Sequence, residues 1–584
     1  MSRISFKVTG AQGQGVNSVG EVCAKGLKRS GYCVFGYREY MSLIKGGHSS
    51  YQLDISPEKI MSSEKFVNIL ICFNHKGLTE NLRDLKDGGI LLHQTPEWSF
   101  APEDQKWIEE HKITVLYLPS EKILKKHNAK PIFSNVLITS VVWLLLGQDI
   151  EKLKELIKTQ FEHKGKEAVE MNFNFIDEGV AFKNGNAKDL TVELPEGDKK
   201  WSEQMLLTGN EAMGMGTIHA GCRVFVGYPM TPTTNLMKYI SDKQNESGMV
   251  IKQAEDEITA AQMVVGAMHM GTRAATATSG GGYDLMTETI SLSGITETPA
   301  VFILGQRPGP GTCLPTWTAQ GDLLMAAHCA HGELTHLVMS VSDAQDGFDL
   351  MPEAFNLAEE YQIPVTVLTD KQIGECLFTQ EKYDQEKAEV RRGNLVTDKE
   401  GLSKLKAEDR YDPADPDGIS PRWLPGSDGP VFCAQGDEHD EKGASSEEPE
   451  NSKAQMEKRL RKIEVLRQKL PEPEIFGDHD PETLIVSWGS NKGVIQDVLN
   501  SDELKDKAIG YLHYTYMYPI NTKRLEKYAE KAKKILLVEG NQQGQLGMLI
   551  KMQCGIDIKD KILKFNGRSF YFDELKELIS SHLA

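Results

Sequence analysis

Three short stretches carry residue types that could do chemistry, and each follows a strand-like run. Gln253-Ala254-Glu255-Asp256-Glu257 puts three carboxylates where a helix begins. Ser279-Gly280-Gly281-Gly282 is expected as a flexible turn that admits a ligand close to the backbone, since glycine has no Cβ. Gln306-Arg307-Pro308-Gly309-Pro310-Gly311-Thr312 holds an arginine in a Pro- and Gly-bearing loop, and its two-pronged guanidinium suits a carboxylate. Each stretch has a plainer reading. Acids in a first helical turn complement the helix dipole, and a surface arginine is usually just solvated. Glu257, however, stands beside Ile258 at the margin of the apolar stripe Ile258, Ala261, Val265 and Met268, where a carboxyl is a candidate acid or base.

Further turns have the same double character. In Tyr228-Pro229-Met230-Thr231-Pro232-Thr233-Thr234, Thr231 reads as a helix N-cap and Pro232 as the first helical residue. Such a turn also offers backbone N–H groups and a hydroxyl to an anion. Near the front, Gly10, Gly13 and Gly15 lie between a strand, Ser5–Val8, and a helix, Asn17–Arg29, as in a βαβ opening. Their spacing is not the dinucleotide fingerprint; a phosphate nest and tight strand-to-helix packing both remain open. Lys45, followed by Gly46 and Gly47, could reach a phosphate or carboxylate or simply face water.

These residues need a scaffold, and the chain supplies α/β grammar for it. Residues 1–180 read as one domain, with strands at Val67–Phe73 and Gly89–His93 and a buried helix at Val136–Leu146. Charged and glycine-bearing sequence from Phe175 to Lys200 reads as a linker, placed at 181–202. A second domain at 203–378 alternates strands with helices such as Asp343–Tyr361, which implies a mostly parallel sheet with ligands beyond its carboxyl ends. Residues 379–480 form a connecting region in which Asp437–Lys469 reads as an exposed acidic excursion followed by a polar helix, Lys453–Gln468, and 481–584 form a last α/β domain. Glu257 and Arg307 are expected at the exits of neighbouring strands, on one side of the sheet.

The 584 residues exceed what one core can organise, and 40% apolar with 26% charged residues is ordinary globular composition. A net charge of −18 argues against a nucleic-acid partner. The longest apolar run, Val136–Leu146, is too short to span a bilayer, and a signal peptide is not visible, so a cytoplasmic protein is expected. The nine cysteines are scattered, without a disulfide framework, zinc pattern or cluster motif; no metal site is expected here.

The ordered set of motifs resembles the alpha subunit of 2-oxoacid:ferredoxin oxidoreductases, of the 2-oxoglutarate type with the gamma domain fused in front. The carriers are Gly-Gln-Gly-Val at 13–16, Ile-Lys-Gly-Gly-His at 44–48, the 228–234 turn, Glu-Asp-Glu at 255–257, and Gly-Gln-Arg-Pro-Gly-Pro-Gly-Thr at 305–312. Leu-Pro-Thr at 314–316, His-Gly-Glu at 331–333 and Val-Glu-Gly-Asn-Gln-Gln-Gly-Gln at 538–545 complete the set. The resemblance implies a gamma domain, a thiamine-diphosphate pyrimidine-binding domain and a transketolase C-terminal-like domain. It implies CoA-dependent oxidative decarboxylation of a 2-oxoacid, 2-oxoglutarate first, with electrons passed to ferredoxin. Glu257 would hydrogen-bond the cofactor's aminopyrimidine, near Tyr228, Pro229 and Gly280; Thr231 and Arg307 would hold the substrate, and Lys45 would contact substrate or coenzyme A. A beta subunit would bring Mg2+, the diphosphate site and a [4Fe-4S] cluster, in an (alpha-beta)2 assembly. Met230, Thr233, Thr234, Pro308 and Gly311 depart from the family pattern and leave the choice of 2-oxoacid open. A transketolase-like enzyme and a non-catalytic nucleotide-binding protein are the competing readings.

Overall fold

The computed structural model describes residues 3–41, 47–387 and 389–583. Lys45 lies outside the described residues, with most of its loop. Three sheets organise the chain. The first has the strand order Thr114–Tyr117, Leu85–His93, Val67–Cys72, Ile4–Ala11, His48–Ser56, Cys33–Tyr40, Leu377–Gln380, Met205–Thr208. Ile4–Ala11 runs parallel to Val67–Cys72 but antiparallel to His48–Ser56, which in turn is antiparallel to Cys33–Tyr40. The expected βαβ opening is therefore split: a third strand slots between its two strands. The helix Val16–Arg29 buries Val16, Val19, Cys23 and Leu27 against this sheet, and Gly20 lets it approach, since a Cβ there would lie 2.3 Å from the Tyr51 ring.

The linker reading from Phe175 onward is corrected. The helix Lys166–Asn186 continues through that stretch because Phe175, Ile176, Gly179 and Phe182 recur at helical spacing and are buried. The irregular connection begins only at Ala187. The last two strands at one edge of the first sheet, Leu377–Gln380 and Met205–Thr208, flank the second domain in sequence yet complete the first domain's sheet.

The second sheet has the order Tyr516–Tyr518, Leu337–Ser340, Pro364–Asp370, Ala300–Gln306, Ala274–Thr278, Val224–Gly227, Val250–Gln253. All its neighbours are parallel except Tyr516–Tyr518, an antiparallel strand donated by the last domain. Its strands are nearly continuous apolar runs, as burial on both faces requires. The third sheet runs Glu474–Gly477, Ile509–Tyr514, Thr483–Trp488, Lys534–Glu539, Asp560–Leu563.

The excursion ends in a helix, as expected, but the exposure expected of it is corrected. Its middle is exposed, but the helix Pro449–Lys469 buries Lys458, Arg459, Lys462 and Leu466. Lys458 Nζ lies 2.5 Å from Glu297 Oε1 and Lys462 Nζ bonds Glu297 Oε2, while Arg459 makes a two-pronged pair with Glu438 at 2.9 and 2.7 Å. Among the described residues no helix is long and apolar enough to cross a membrane.

Candidate active site

Four parallel strands of the second sheet end on one edge, and each exit carries a candidate residue: Val250–Gln253 before Glu257, Val224–Gly227 before Tyr228–Thr231, Ala274–Thr278 before Gly280, and Ala300–Gln306 before Arg307. Glu257 follows the edge strand, and two strands lie between it and the strand of Arg307, so the expectation of neighbouring strands is corrected.

Glu257 opens the helix Glu257–His269, which Asp256 caps by accepting from Thr259 N at 2.8 Å. The buried stripe of this helix is Glu257, Ala260, Ala261, Val264, Val265 and Met268. Ile258, expected on that stripe, is 46% exposed, whereas Glu257 is 4% exposed. The carboxyl therefore occupies a core position at the i, i+3, i+4 spacing of an apolar face. Its Oε1 is enclosed without a hydrogen-bond partner. The expected flexible turn of glycines is instead the first turn of the helix Gly280–Ile295. A Cβ on Gly282 would lie 2.7 Å from Glu257 Oε1 and 2.0 Å from Thr278 Oγ1, so only glycine fits beside the carboxyl. An orphaned buried carboxyl oxygen costs about 1–3 kcal/mol and is repaid when a donor arrives. Such a pocket fits a ring nitrogen or amine that shares a proton with Glu257.

Thr231 is not the helix cap. Thr233 N bonds Met230 O at 2.9 Å and closes a turn, and the helix begins at Thr234, two residues later than expected. Thr233 occupies the cap position, but its hydroxyl donates to Met230 O at 2.9 Å instead of capping. Freed from capping, Thr231 meets Arg307: the arginine Nη1 donates to Thr231 O at 2.9 Å. Burial lowers the Arg307 pKa and the neighbouring Asp322 charge opposes that. Tyr228, 40% exposed, and Pro229 stand at the same edge. Gly280 and Arg307 line an open cleft of about 680 Å³ together with Asp284, Asp322 and the loop Gly540–Gln543. The structure thus brings Glu257 beside Gly282 and Thr231 beside Arg307 on one edge of the sheet.

Residues given no predicted role in the site also shape the cleft. Asp322 N donates to Gln306 Oε1 at 3.1 Å, which hangs its turn from the strand end next to Arg307. Gln320 ties the Arg307 loop to the last domain through Gly540 N, Asn491 Nδ2 and Trp488 O at 2.7–2.9 Å. Glu539, fully buried, accepts from Trp488 Nε1, Asn541 Nδ2 and Leu546 N and so fixes the 540–545 loop. For Gln320 and Asp322 the sequence signal is the polar Gln320-Gly321-Asp322 run between two motifs already singled out, while Glu539 and Asn541 lie within the 538–545 motif. Among the described residues no group of three His, Cys, Asp or Glu is arranged for a metal.

Residues 215–458 match the family model described as pyruvate flavodoxin/ferredoxin oxidoreductase, thiamine diP-bdg, and residues 5–182 match pyruvate ferredoxin/flavodoxin oxidoreductase. The 2-oxoacid:ferredoxin oxidoreductase subunit alpha of Sulfolobus sp is 31% identical over 99% of this chain and 96% of its own length. The 2-oxoglutarate synthase subunit KorA of Methanothermobacter thermautotrophicus is 31% identical over 65% of this chain and 98% of its own. Among solved structures, the 2-oxoglutarate:ferredoxin oxidoreductase from Magnetococcus marinus, with 2-oxoglutarate, coenzyme A and succinyl-CoA bound, superposes with a TM-score of 0.92 at 27% identity, covering all of both chains. The family models and the full-length relatives define an oxidoreductase chain of the thiamine-dependent class. It belongs to the 2-oxoacid:ferredoxin oxidoreductases, as their alpha subunit, which sets aside the non-catalytic and transketolase-like readings.

Proposed function

We propose that this subunit serves a CoA-dependent oxidation of 2-oxoglutarate to an acyl-CoA and CO2, with ferredoxin as acceptor. The observation that carries the reading is the orphaned Glu257 Oε1 on the same sheet edge as the Arg307–Thr231 pair. Thiamine diphosphate, when bound, supplies the nucleophilic carbon and the electron sink that decarboxylation of a 2-oxoacid requires. Glu257 holds and exchanges a proton with the cofactor's aminopyrimidine nitrogen, beside Tyr228, Pro229 and Gly280. Arg307 binds the substrate carboxylate and Thr231 orients the keto group; Lys45 is assigned to substrate or coenzyme A. The choice of 2-oxoglutarate is supported by the relatives named 2-oxoglutarate synthase and by the ligands of the Magnetococcus marinus enzyme.

A beta subunit, in an (alpha-beta)2 assembly, brings Mg2+, the diphosphate contacts and the iron–sulfur cluster. The cytoplasm suits the free cysteines. The test is copurification with the partner followed by ferredoxin reduction across a panel of 2-oxoacids. CoA-dependent reduction with 2-oxoglutarate above pyruvate is expected. A complex that binds no thiamine diphosphate overturns the reading of the site, and a preference for pyruvate overturns the substrate alone.

A further inference from the structure

The mechanism leaves two carboxyls of the cleft without a task, the exposed Asp284 and the enclosed Asp322. Asp322 stands at the start of the short helix Leu323–Ala327 but makes no side-chain cap bond there. Its Oδ2 is enclosed and has no hydrogen-bond partner. It faces the first turn of the helix Gly280–Ile295, where a Cβ on Gly280 would lie 3.1 Å from Oδ2. Arg307, which shares the cleft, donates to the Thr231 carbonyl and forms no ion pair with Asp322. The charged groups of the cleft wall are therefore Arg307 on its loop, Asp284 on the glycine-started helix, and Asp322; the loop from the last domain adds only neutral amides and backbone.

We propose that Asp322 is a positioning residue for substrate binding, whose carboxyl sets how strongly Arg307 attracts the carboxylate of the 2-oxoacid. This rests on Arg307 as the carboxylate contact. With a proton on Asp322, the guanidinium field acts on the incoming anion without the opposing charge of that carboxyl. With Asp322 ionised, the second charge cancels part of that field and repels the substrate at short range. Burial, then Asp284, push the Asp322 carboxyl up to about 7 against the opposing charge of Arg307, so the two forms exchange near neutrality. Substrate binding then favours the protonated form, and an anion entering near pH 7 draws a proton with it.

The test uses the complex with its partner subunit and oxamate, an isostere of a 2-oxoacid that is not decarboxylated. Calorimetry in buffers of different ionisation enthalpy reads both affinity and proton uptake. For the wild-type complex, oxamate affinity is expected to weaken roughly tenfold from pH 6 to pH 8, with uptake of a fraction of a proton near pH 7. Asp322→Asn should bind with nearly the same affinity at both pH values and without that uptake, and its KM for the 2-oxoacid should lose the same pH dependence while kcat changes little. Absence of proton uptake in the wild type overturns the proposal without any variant. So does an Asp322→Asn complex that keeps the wild-type pH dependence while Arg307→Ala weakens oxamate binding. If Arg307→Ala leaves oxamate binding unchanged, the carboxylate contact itself is wrong and the inference falls with it.

Discussion

Glu257 sits on a helix face that is otherwise Ala, Val and Met, and that placement gives its carboxyl more leverage than a surface acid has. Glu257→Gln keeps the shape and removes the exchangeable proton. Turnover is expected to fall by roughly 10²–10⁴-fold, the usual worth of general acid/base help. Stability should hold, because Oε1 has no bond to lose; near-normal turnover would remove Glu257 from the chemistry. Gly282→Ala acts on the same atom, since its methyl would crowd Oε1 at 2.7 Å. It should cost at least about tenfold in kcat alone and add much less in the Glu257→Gln background, as neighbours in one unit are not additive. Equal losses in both backgrounds would separate the two residues. Arg307→Ala should raise KM by roughly 10–100-fold, the loss of a charge-assisted two-pronged contact, with a smaller effect on stability. The residue types of this site were legible from sequence. The phase of the Glu257 helix was not: Ile258 and Glu257 are adjacent, and only packing decides which of them faces in.

At the scale of elements, the helix Pro449–Lys469 shows why polar sequence can mislead. Lys458 and Lys462 stand four residues apart on one face, a spacing that reads as solvated. In the fold they grip the two oxygens of Glu297, a residue 161 positions away from Lys458, at the end of the glycine-started helix of the cleft. Local pattern cannot reveal a partner so distant. The two lysines hold the Glu297 carboxyl well below the usual carboxylate range despite its burial. A depressed folded-state pKa contributes stability above the unfolded value, near 4.5, and that contribution is lost as pH falls further. Glu297→Gln should destabilise the protein by about 3–5 kcal/mol at pH 7, because it leaves two buried ammonium groups without their charge. Denaturation at pH 7, 5 and 3 checks the sign: the gap between wild type and variant should narrow only below about pH 4.5. A constant gap would mean that the cluster acts through packing rather than charge.

The alternation of strands and helices announced three α/β units, but their seams were illegible, because a strand's sheet is fixed by tertiary pairing. Met205–Thr208 and Leu377–Gln380 complete the first sheet, and Tyr516–Tyr518 joins the second. The first and last units also meet directly, far apart in sequence. Asp497, on the helix Asn491–Leu499, accepts from Arg3 Nη2 and Met61 N at 2.9 Å each and from Ser62 Oγ at 2.5 Å. The Arg3 and Asp497 side chains are 2% and 3% exposed, so this is a dry joint. Removing one member of a buried pair costs more than the pair contributes, since the other charge stays desolvated. Asp497→Ala should therefore lose about 3–5 kcal/mol, and the loss should fall on the joint rather than on either core. Protease cleavage around residues 57–65 should accelerate well before the second sheet unfolds, which peptide mapping alongside tryptophan fluorescence can separate. Because the 540–545 loop of the cleft rides on the last unit, KM should rise with the loosened joint. A variant with faster cleavage but unchanged KM would show that the cleft is set by Gln320 and the donated strand alone.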